Sequence, residues 1–256
     1  MSSESFSQMK TDERAIPGPF GALDAVIHTP GSSNTGVVLV FCHGFRGSKE
    51  GGGRATALAE KVAALGFTVV RFDFTPQKKL SLQVAELAAV VAYSRAHLGR
   101  RIILFGRSMG GSASLAFAAA DRDIAGLCLW ATPSDLIETF RLSLRAGYDR
   151  LAAGEDFFHE DEWGPLHLTP DFIGDFANFD LLASVRSLAG VPLLIVHGSG
   201  DDVVPERQAE RLFGAAAEPK DLVIIPGGDH QFTATHPVAS GAVLDWLARM
   251  FVARGI

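Results

Sequence analysis

Short apolar runs alternate along this chain with longer stretches whose apolar residues recur at helical spacing. This alternation constrains the fold more than any other feature. The run Val37–Phe41 lies between Gly36 and His43-Gly44. The next stretch, Arg54–Leu65, repeats leucine or valine every three or four residues and ends at Gly66, a typical helix stop. Near-continuous apolar strands between such helices are typical of a parallel sheet covered on both faces. We therefore predict a doubly wound α/β domain.

The same pattern predicts the remaining elements of the domain. Further strands are expected at 67–72, 101–105, 124–130, 191–196 and 222–225, and further helices at 80–98, 109–120, 205–217 and 237–253. At 256 residues, of which 47% are hydrophobic, the chain can bury a core without support from a disulfide or a metal. Both cysteines, Cys42 and Cys128, lie inside apolar runs. We expect them to be buried thiols of a protein from a reducing compartment.

Charge and hydropathy narrow the classes of partner. The formal net charge is −6 and no stretch is rich in lysine or arginine, which argues against a nucleic-acid partner. Residues 1–14 are polar and rich in serine, so we expect a loose start rather than a signal peptide. No stretch approaches the ~18 uncharged apolar residues that a membrane-spanning helix needs. We therefore expect a cytoplasmic protein, monomeric or homodimeric, that does not enter a membrane.

One segment breaks the alternation of strands and helices. About sixty residues separate two of the predicted strands, far more than one helix and two turns need. We expect residues 134–180 to form a cap, or lid, over the carboxyl edge of the sheet; an ordinary solvated excursion is the alternative. The core then consists of residues 15–133 and 181–256. Within the cap, Gly154–Asp175 has seven acidic residues and no lysine or arginine. Aromatic residues lie among these acids, and three are expected to contact substrate: Phe157, Phe158 and Trp163.

The motif Gly106-Arg107-Ser108-Met109-Gly110 stands between a predicted strand and a predicted helix. A serine that acts as a nucleophile needs its hydroxyl held out at such a tight turn, where only small neighbours fit. The helix start then directs free N–H groups and a positive dipole end at developing negative charge. The motif therefore predicts that Ser108 is a nucleophile. The alternative is a glycine-rich turn in which the serine has no chemical role.

A serine hydroxyl needs a base, and eight histidines are available. His230 is favoured because it lies in a glycine-rich loop, Gly227–Phe232, after the last predicted strand. A loop at the carboxyl end of a parallel strand can bring an imidazole to the nucleophile. The other seven histidines lie at strand or helix ends or in the cap: His28, His43, His97, His159, His167, His197 and His236.

The acid that orients this histidine should follow another strand. Asp201 is favoured because it comes directly after His197-Gly198-Ser199-Gly200 at the end of the predicted strand 191–196. Asp202, its neighbour, is better placed to cap the next helix or face solvent. Asp135, in the loop after strand 124–130, is a third candidate.

Four motifs together resemble the α/β-hydrolase fold: His43-Gly44-Phe45, Gly106–Gly111, His197–Pro205 and Gly228–Phe232. The resemblance covers about residues 20–254 apart from the insertion. It is greatest to the microbial carboxylesterase and serine-aminopeptidase-like branch, which includes cinnamoyl and feruloyl esterases. It implies a mostly parallel sheet with helices on both faces, a lid after the sixth strand, and a Ser-His-Asp triad that cleaves esters. By this match, the backbone N–H groups of Phe45 and Met109 form the oxyanion hole.

The resemblance implies a carboxylesterase that acts through Ser108, His230 and Asp201. The aromatic residues of the expected lid, and not the resemblance, suggest small or aromatic acyl groups. Thioesterase, amidase or peptidase activity with the same triad is an alternative, as is a non-catalytic small-molecule-binding protein of the same fold. Arg46 and Lys49 follow the oxyanion motif, and would favour a carboxylate or phenolate substrate unless they simply belong to a solvated loop.

No metal or cofactor is expected. Gly51-Gly52-Gly53 lacks the Gly-Lys-Ser/Thr that a phosphate-binding loop requires. His159 and the three acids that follow it are adjacent in sequence, so they cannot all face one ion on regular structure.

Overall fold

A computed structural model describes residues 9–31, 34–77 and 79–252. Its main feature is an eight-stranded sheet in the order β1-β2-β4-β3-β5-β6-β9-β10. β1 pairs antiparallel with β2, and β2 with β4, whereas all other neighbours are parallel. The strands are β1 (Lys10–Gly18), β2 (Gly21–Thr29), β3 (Val37–Cys42), β4 (Thr68–Phe72), β5 (Arg101–Arg107), β6 (Gly126–Trp130), β9 (Leu193–Gly198) and β10 (Lys220–Ile225).

Helices cover both faces of this sheet. Successive residues of a strand point to opposite sides, so a strand in which every residue is apolar needs a helical layer on each face. Val38 and Val40 pack into the core beneath α2, α3 and α8, whereas Leu39 and Phe41 pack into the core beneath α1 and α9. The helices of the two layers are α1 (Arg54–Ala64), α2 (Leu80–His97), α3 (Met109–Ala120), α8 (Glu206–Ala215) and α9 (His236–Leu247). The predicted α/β-hydrolase architecture, a mostly parallel sheet between helical layers, is confirmed.

The start of the chain differs from the expectation of a loose segment over residues 1–14. Residues 10–14 belong to β1, which pairs with β2 along its whole length, while residues 1–8 lie outside the described part of the chain. β1 is an edge strand, and all of its side chains except Ile16 and Gly18 are exposed. Such a strand has charged residues instead of an apolar run, so its sequence resembles that of a solvated tail.

The segment between β6 and β9 follows the sixth strand along the chain, as expected of the lid. We call residues 134–180 the cap. Phe140, Phe172 and Phe176 form its buried aromatic cluster, with ring centroids 4.9 to 5.4 Å apart. The elements of the segment are α4 (Leu136–Leu144), α5 (Ala146–Ala152), the hairpin of β7 (Phe157–Asp161) and β8 (Gly164–Leu168), α6 (Asp171–Gly174) and α7 (Leu181–Arg186).

Across the described ranges, no helix is both long and apolar enough to cross a membrane.

Candidate active site

Ser108 occupies a sharp turn between β5 and α3. Its φ of 51° and ψ of −125° are unusual for a residue with a side chain, and they point to stored backbone strain. The turn is possible because glycine stands on both sides of it. A Cβ on Gly106 would lie 2.5 Å from the Cα of Gly111, and one on Gly110 would lie 2.3 Å from the carbonyl oxygen of Cys42. This strained serine turn is the geometry of a nucleophile elbow.

His230 joins Ser108 to Asp201 in one hydrogen-bonded chain. Its Nε2 lies 3.1 Å from the Ser108 Oγ, and its Nδ1 lies 2.8 Å from the Asp201 Oδ2. The exposed fractions of the three residues are only 8%, 9% and 7% for Ser108, His230 and Asp201. A carboxylate only accepts, so it places the imidazole proton on Nδ1 and leaves Nε2 to accept from the serine hydroxyl.

The Asp201 carboxylate is held by its own loop. Its second oxygen, Oδ1, accepts backbone hydrogen bonds from Val203 at 3.0 Å and Val204 at 2.7 Å. The two other acids weighed from the sequence lie elsewhere: Asp202 is exposed, and Asp135 caps α4 by accepting from the N–H of Glu138. Of the three, the structure therefore brings Asp201 to the histidine.

His197 contacts both ends of the loop that contains this acid. It is fully buried, its Nε2 donates to the carbonyl of Val204 at 2.7 Å, and the same atom is 3.5 Å from the Asp201 Oδ2. Burial lowers the pKa of His197 below its usual value, so the ring is neutral near pH 7. The hydrogen bond from His197 to Val204 spans seven positions and so stabilises the turn that contains Asp201.

The loop after β3 lies against the serine turn. A Cβ on Gly44 would lie 3.0 Å from the Cβ of Ser108, so a glycine at this position lets the loop backbone pack close to the serine. His43 fixes the loop: its Nδ1 donates to the carbonyl of Gly44 at 2.8 Å, and its Nε2 accepts from the N–H of Phe74 at 3.0 Å. Burial lowers the pKa of His43, which agrees with the neutral ring that these two contacts require.

Two backbone N–H groups remain available beside the serine. Within the described residues, the N–H groups of Phe45 and Met109 donate to no backbone carbonyl. Met109 is the first residue of α3, where the helix dipole concentrates partial positive charge. The two groups expected to form an oxyanion hole therefore belong to the two segments that meet at Ser108.

A cavity of about 1040 Å³ surrounds the serine. The cap contributes five apolar side chains to the wall, Phe140, Leu144, Phe157, Trp163 and Leu166, and five polar or charged ones, Thr139, Ser143, Arg145, His159 and Asp161. A wall of apolar side chains with polar groups among them is typical of a small-molecule site.

Phe158, one of the three aromatic residues expected to contact substrate, does not line the cavity. It is 65% exposed and stacks on His167, with ring centroids 4.1 Å apart. Phe157 and Phe158 are neighbours on β7, and neighbouring residues of a strand point to opposite sides. Phe157 therefore lines the cavity while Phe158 faces solvent. Trp163, the third residue of that expectation, does line the cavity although it is 67% exposed.

Arg46 and Lys49 line the cavity but are already paired with carboxylates. The guanidinium of Arg46 forms two 2.7 Å hydrogen bonds with Asp161 and a third with the carbonyl of Gly164. Lys49 donates to Asp73 from both its ammonium group and its backbone N–H. The Arg46 guanidinium lowers the pKa of Asp161, and Asp73 raises the pKa of Lys49. Neither cation is therefore left to bind a substrate anion, contrary to the possibility raised by the sequence.

The contacts of Arg107, the residue before Ser108, were not predicted from the sequence. Its Nη2 donates to the carbonyl of His230 and to the Oε1 of Gln231, both at 2.8 Å. It thus ties the histidine loop to the serine turn. The only signal in the sequence was its place inside the Gly-x-Ser-x-Gly motif, which does not show what a long side chain reaches.

No group of three potential metal ligands comes together within the described residues. His159 lies 3.5 Å from Asp161, but Arg46 occupies that carboxylate. Cys42 and Cys128 are buried and unpaired with each other, and burial raises the pKa of the Cys42 thiol to about 12. These thiols are therefore protonated core residues.

A doubly wound sheet, with a serine at the turn from a central strand to a helix and a histidine in the loop after the last strand, defines the class of α/β hydrolases. The model of the alpha/beta hydrolase family matches residues 39–241. The chain belongs to this family, which confirms the family-level resemblance.

Solved structures share the fold at low sequence identity. Est1E from Butyrivibrio proteoclasticus, a structure with bound ferulic acid, has a TM-score of 0.81 and 22% identity, covering 93% of this chain and 98% of that one. The esterase domain of a Rhodothermus marinus protein has a TM-score of 0.72 and 21% identity, covering 94% of this chain and 99% of that one.

A relative was also found by sequence. An uncharacterized protein of Mycobacterium tuberculosis is 28% identical over 212 residues, which are 79% of this chain. The match covers 65% of that relative's length.

Proposed function

We propose that this chain is a serine hydrolase that cleaves carboxylic esters, with Ser108 as nucleophile, His230 as general base and Asp201 as the acid that orients it. The observation that carries this proposal is the continuous hydrogen bonding from the Ser108 Oγ through His230 to Asp201. Family membership and the esterases among the structural neighbours support the same chemistry.

In the first half of the reaction, the Nε2 of His230 takes the proton of Ser108 while the serine oxygen attacks the ester carbonyl carbon. The negative charge on the former carbonyl oxygen is stabilised by the N–H groups of Phe45 and Met109. Loss of one such donor typically costs about 3–4 kcal/mol of transition-state stabilisation. Asp201 stabilises the imidazolium, which then donates its proton to the departing alcohol oxygen as the C–O bond breaks.

In the second half, water replaces the alcohol. His230 takes a proton from this water, whose oxygen attacks the acyl carbon, and the second tetrahedral intermediate uses the same two N–H groups. Collapse of this intermediate breaks the bond to the Ser108 oxygen, which recovers its proton from His230. The products are a carboxylic acid and the regenerated enzyme, and no cofactor takes part.

The cap side of the cavity is proposed to hold the acyl group. Phe157 and Trp163 border the cavity with Phe140 and Leu144, so small or aromatic acyl groups would be buried against aromatic and aliphatic surface. The ferulic acid bound to Est1E, an aromatic acid on the same fold, supports this choice.

The direct test replaces the nucleophile. We expect Ser108→Ala to lower kcat on p-nitrophenyl acetate and butyrate by more than about a thousandfold. Ser143→Ala is the matched control, because Ser143 lines the same cavity and makes no hydrogen bond to His230 in the described part of the chain. Retention of more than about a thousandth of the wild-type turnover by Ser108→Ala would contradict the proposal.

Labelling and a substrate panel separate the alternatives. A fluorophosphonate should modify wild-type protein at Ser108, and its failure to do so would favour a non-catalytic binding protein. Acyl thioesters and aminoacyl anilides, assayed beside esters of the same acyl chain, should be cleaved more slowly than the esters. A higher kcat/KM for either would reassign the enzyme to thioester or amide hydrolysis.

A further inference from the structure

The charge of the cavity is opposite to that of the chain. The whole protein has a formal net charge of −6. Within the described residues, the cavity wall has only one carboxylate, that of Asp161. Its cationic side chains are Arg46, Lys49, Arg54, Arg107 and Arg145. A cavity lined by one sign of charge concentrates ligands of the other sign.

Three of these cations are not compensated by a carboxylate. Arg46 and Lys49 are paired with Asp161 and Asp73. In the part of the chain that the structure describes, Arg54, Arg107 and Arg145 have no carboxylate oxygen within 4.0 Å. Arg145 belongs to the cap, whereas Arg54 and Arg107 belong to α1 and β5 of the core.

Arg54 and Arg107 converge on a single residue, Gln231. Arg54 donates from Nη1 to the backbone carbonyl of Gln231 at 2.9 Å, and Arg107 donates from Nη2 to its side-chain oxygen at 2.8 Å. All acceptors of the two guanidinium groups are neutral oxygens. Two like charges held this close repel each other, and an anion between them would offset that repulsion.

Asp201 and Asp229 attract the charge of Arg107 without a hydrogen bond to it. Asp201 receives hydrogen bonds from the His230 imidazole and from two backbone N–H groups of its loop. Asp229 accepts from the backbone N–H of Thr233. Within the described residues, neither carboxylate pairs directly with Arg54 or Arg107, so the two guanidinium groups remain available to an anion that enters the cavity.

Apolar side chains line the same cavity. Phe41, Phe105 and Trp130 are in its wall and belong to the core beneath α1 and α9, on the other face of the sheet from the cap aromatics. Arg54 begins α1, and Arg107 ends β5, the strand that also contains Phe105. We call Arg54, Arg107 and Gln231 the arginine arm. A cavity that combines apolar surface with guanidinium groups suits a hydrocarbon or aromatic group that ends in a carboxylate.

We propose that the ester substrate of this enzyme has a carboxylate in addition to its ester group, and that Arg54 and Arg107 bind this carboxylate in the arginine arm. This inference rests on the proposed ester hydrolysis at Ser108. The carboxylate belongs either to the acyl part, as in a half-ester of a dicarboxylic acid, or to the alcohol part, as in an ester of a hydroxy acid. Both sources present the same group to the two arginines.

Arg54 is the residue to test, since Arg107 donates to the carbonyl of His230 itself, whereas Arg54 donates to the carbonyl of the next residue, Gln231. Arg54→Gln removes the charge and keeps an amide donor for Gln231. Arg54→Lys keeps the charge. Arg122→Gln is the matched control because it changes the net charge equally at an exposed position in the loop before β6.

The assay uses two pairs of esters that differ in one carboxylate. For the alcohol part, 4-acetoxybenzoate is compared with its methyl ester, following loss of the acetyl group. For the acyl part, p-nitrophenyl hemiglutarate is compared with p-nitrophenyl valerate. We expect wild type to prefer the anionic member of one pair in kcat/KM by about tenfold or more, the size of one charge-assisted hydrogen bond. The pair that shows this preference identifies the part of the substrate that bears the carboxylate.

Arg54→Gln should raise the KM of the preferred anionic ester by about tenfold and leave its neutral partner within about twofold. Arg54→Lys should recover most of this loss, and Arg122→Gln should behave as wild type. An equal effect of Arg54→Gln on both members of the pair, or no preference in wild type, would overturn the inference while ester hydrolysis stands.

A binding measurement keeps the two proposals separable. Ser108→Ala protein is titrated calorimetrically with 4-acetoxybenzoate, hemiglutarate monomethyl ester and their neutral counterparts. Tighter binding of an anionic member, lost in the Ser108→Ala, Arg54→Gln double variant, supports the arginine arm even if none of the esters turns over. Equal binding of anionic and neutral members overturns it. Absence of both turnover and a fluorophosphonate adduct in wild type contradicts the proposed function instead.

Discussion

Arg46 and Asp161 form a bidentate ion pair that joins the loop after β3 to the end of β7 in the cap, with both N–O distances at 2.7 Å. The two residues are 115 positions apart in the chain. Arg46 directly follows Phe45, and the Phe45 ring packs on Phe140 and Phe172 of the cap, each at 5.3 Å between centroids. The cap therefore holds the loop that is proposed to supply one of the oxyanion donors.

We expect Asp161→Asn to lower kcat on a neutral ester such as p-nitrophenyl butyrate by several-fold. Loss of the ion pair loosens the loop at Phe45, so its N–H spends less time in position for the transition state. Asp156→Asn is the matched control, because among the residues that the structure describes Asp156 forms an ion pair with the exposed His167 alone, near the same hairpin. Equal kcat values for the two variants would show that the Arg46 contact does not order the loop.

The two neighbouring phenylalanines of β7 should differ in their effect on binding. Phe157→Ala removes aromatic surface from the cavity wall and should raise the KM for an aromatic acyl ester by about tenfold, because contact with apolar surface is lost. Phe158→Ala removes an exposed ring and should leave KM within about twofold. Steady-state kinetics on methyl ferulate check both values, and a larger effect at Phe158 would place the acyl group outside the cavity.

Stability should fall as the pH falls below about 6.5, the ordinary pKa of histidine. Burial lowers the pKa of His28, His43, His197 and His236 in the folded state. In the window between each lowered value and about 6.5, the unfolded chain binds more protons than the folded one, so acid favours unfolding. This contribution is fully present above that window and is lost as the pH decreases through it. The slope is at most ~1.4 kcal/mol per pH unit for each such histidine.

Urea unfolding between pH 8 and pH 5 measures this slope. His28→Gln is the informative variant, since the side-chain oxygen can accept the 3.1 Å hydrogen bond from the Arg71 Nε without titrating. Its stability should depend less steeply on pH than that of wild type. A free energy of unfolding that rises towards pH 5 would contradict the assignment of neutral, buried rings.

Gln208 should stabilise the contact between α8 and the start of the cap. It is fully buried in α8, its Oε1 accepts from the N–H groups of Ser134 and Asp135, and its Nε2 donates to Glu138. Gln208→Ala leaves these groups unpaired, which typically costs about 1–3 kcal/mol for each buried polar group. Glu210→Ala, an exposed position on the same helix, should change the free energy of unfolding by less than about 0.5 kcal/mol. Equal urea midpoints for the two variants would contradict this role.

The parallel part of the fold could be predicted because its strands are buried on both faces. β3, β5, β6 and β9 are therefore nearly continuous apolar runs, and their ends show in the sequence as glycine, serine and aspartate. The same logic placed Ser108, Asp201 and His230 at one edge of the sheet, where the structure brings them together. Their catalytic roles, and the oxyanion donors, remain predictions.

What the sequence did not reveal depends on contacts between distant segments. The polar edge strand β1 has no apolar run, and the alternation of Phe157 and Phe158 becomes visible only once β7 is known to be a strand. The pairing of Arg46 with Asp161, and the convergence of Arg54 and Arg107 on Gln231, join residues more than a hundred positions apart. Charge patterns along the chain contain no information on such pairings.

The reactivity of the buried cysteines can be used to measure local unfolding of the central sheet. Cys42 lies on β3 and Cys128 on β6, each only 1% exposed, on either side of the strand that leads to Ser108. Cys42 also lines the cavity, whereas Cys128 does not. A thiol-specific reagent such as Ellman's reagent can therefore reach Cys128 only when the central strands separate. The rate of its reaction with Cys128 in native buffer measures sub-global unfolding of the sheet.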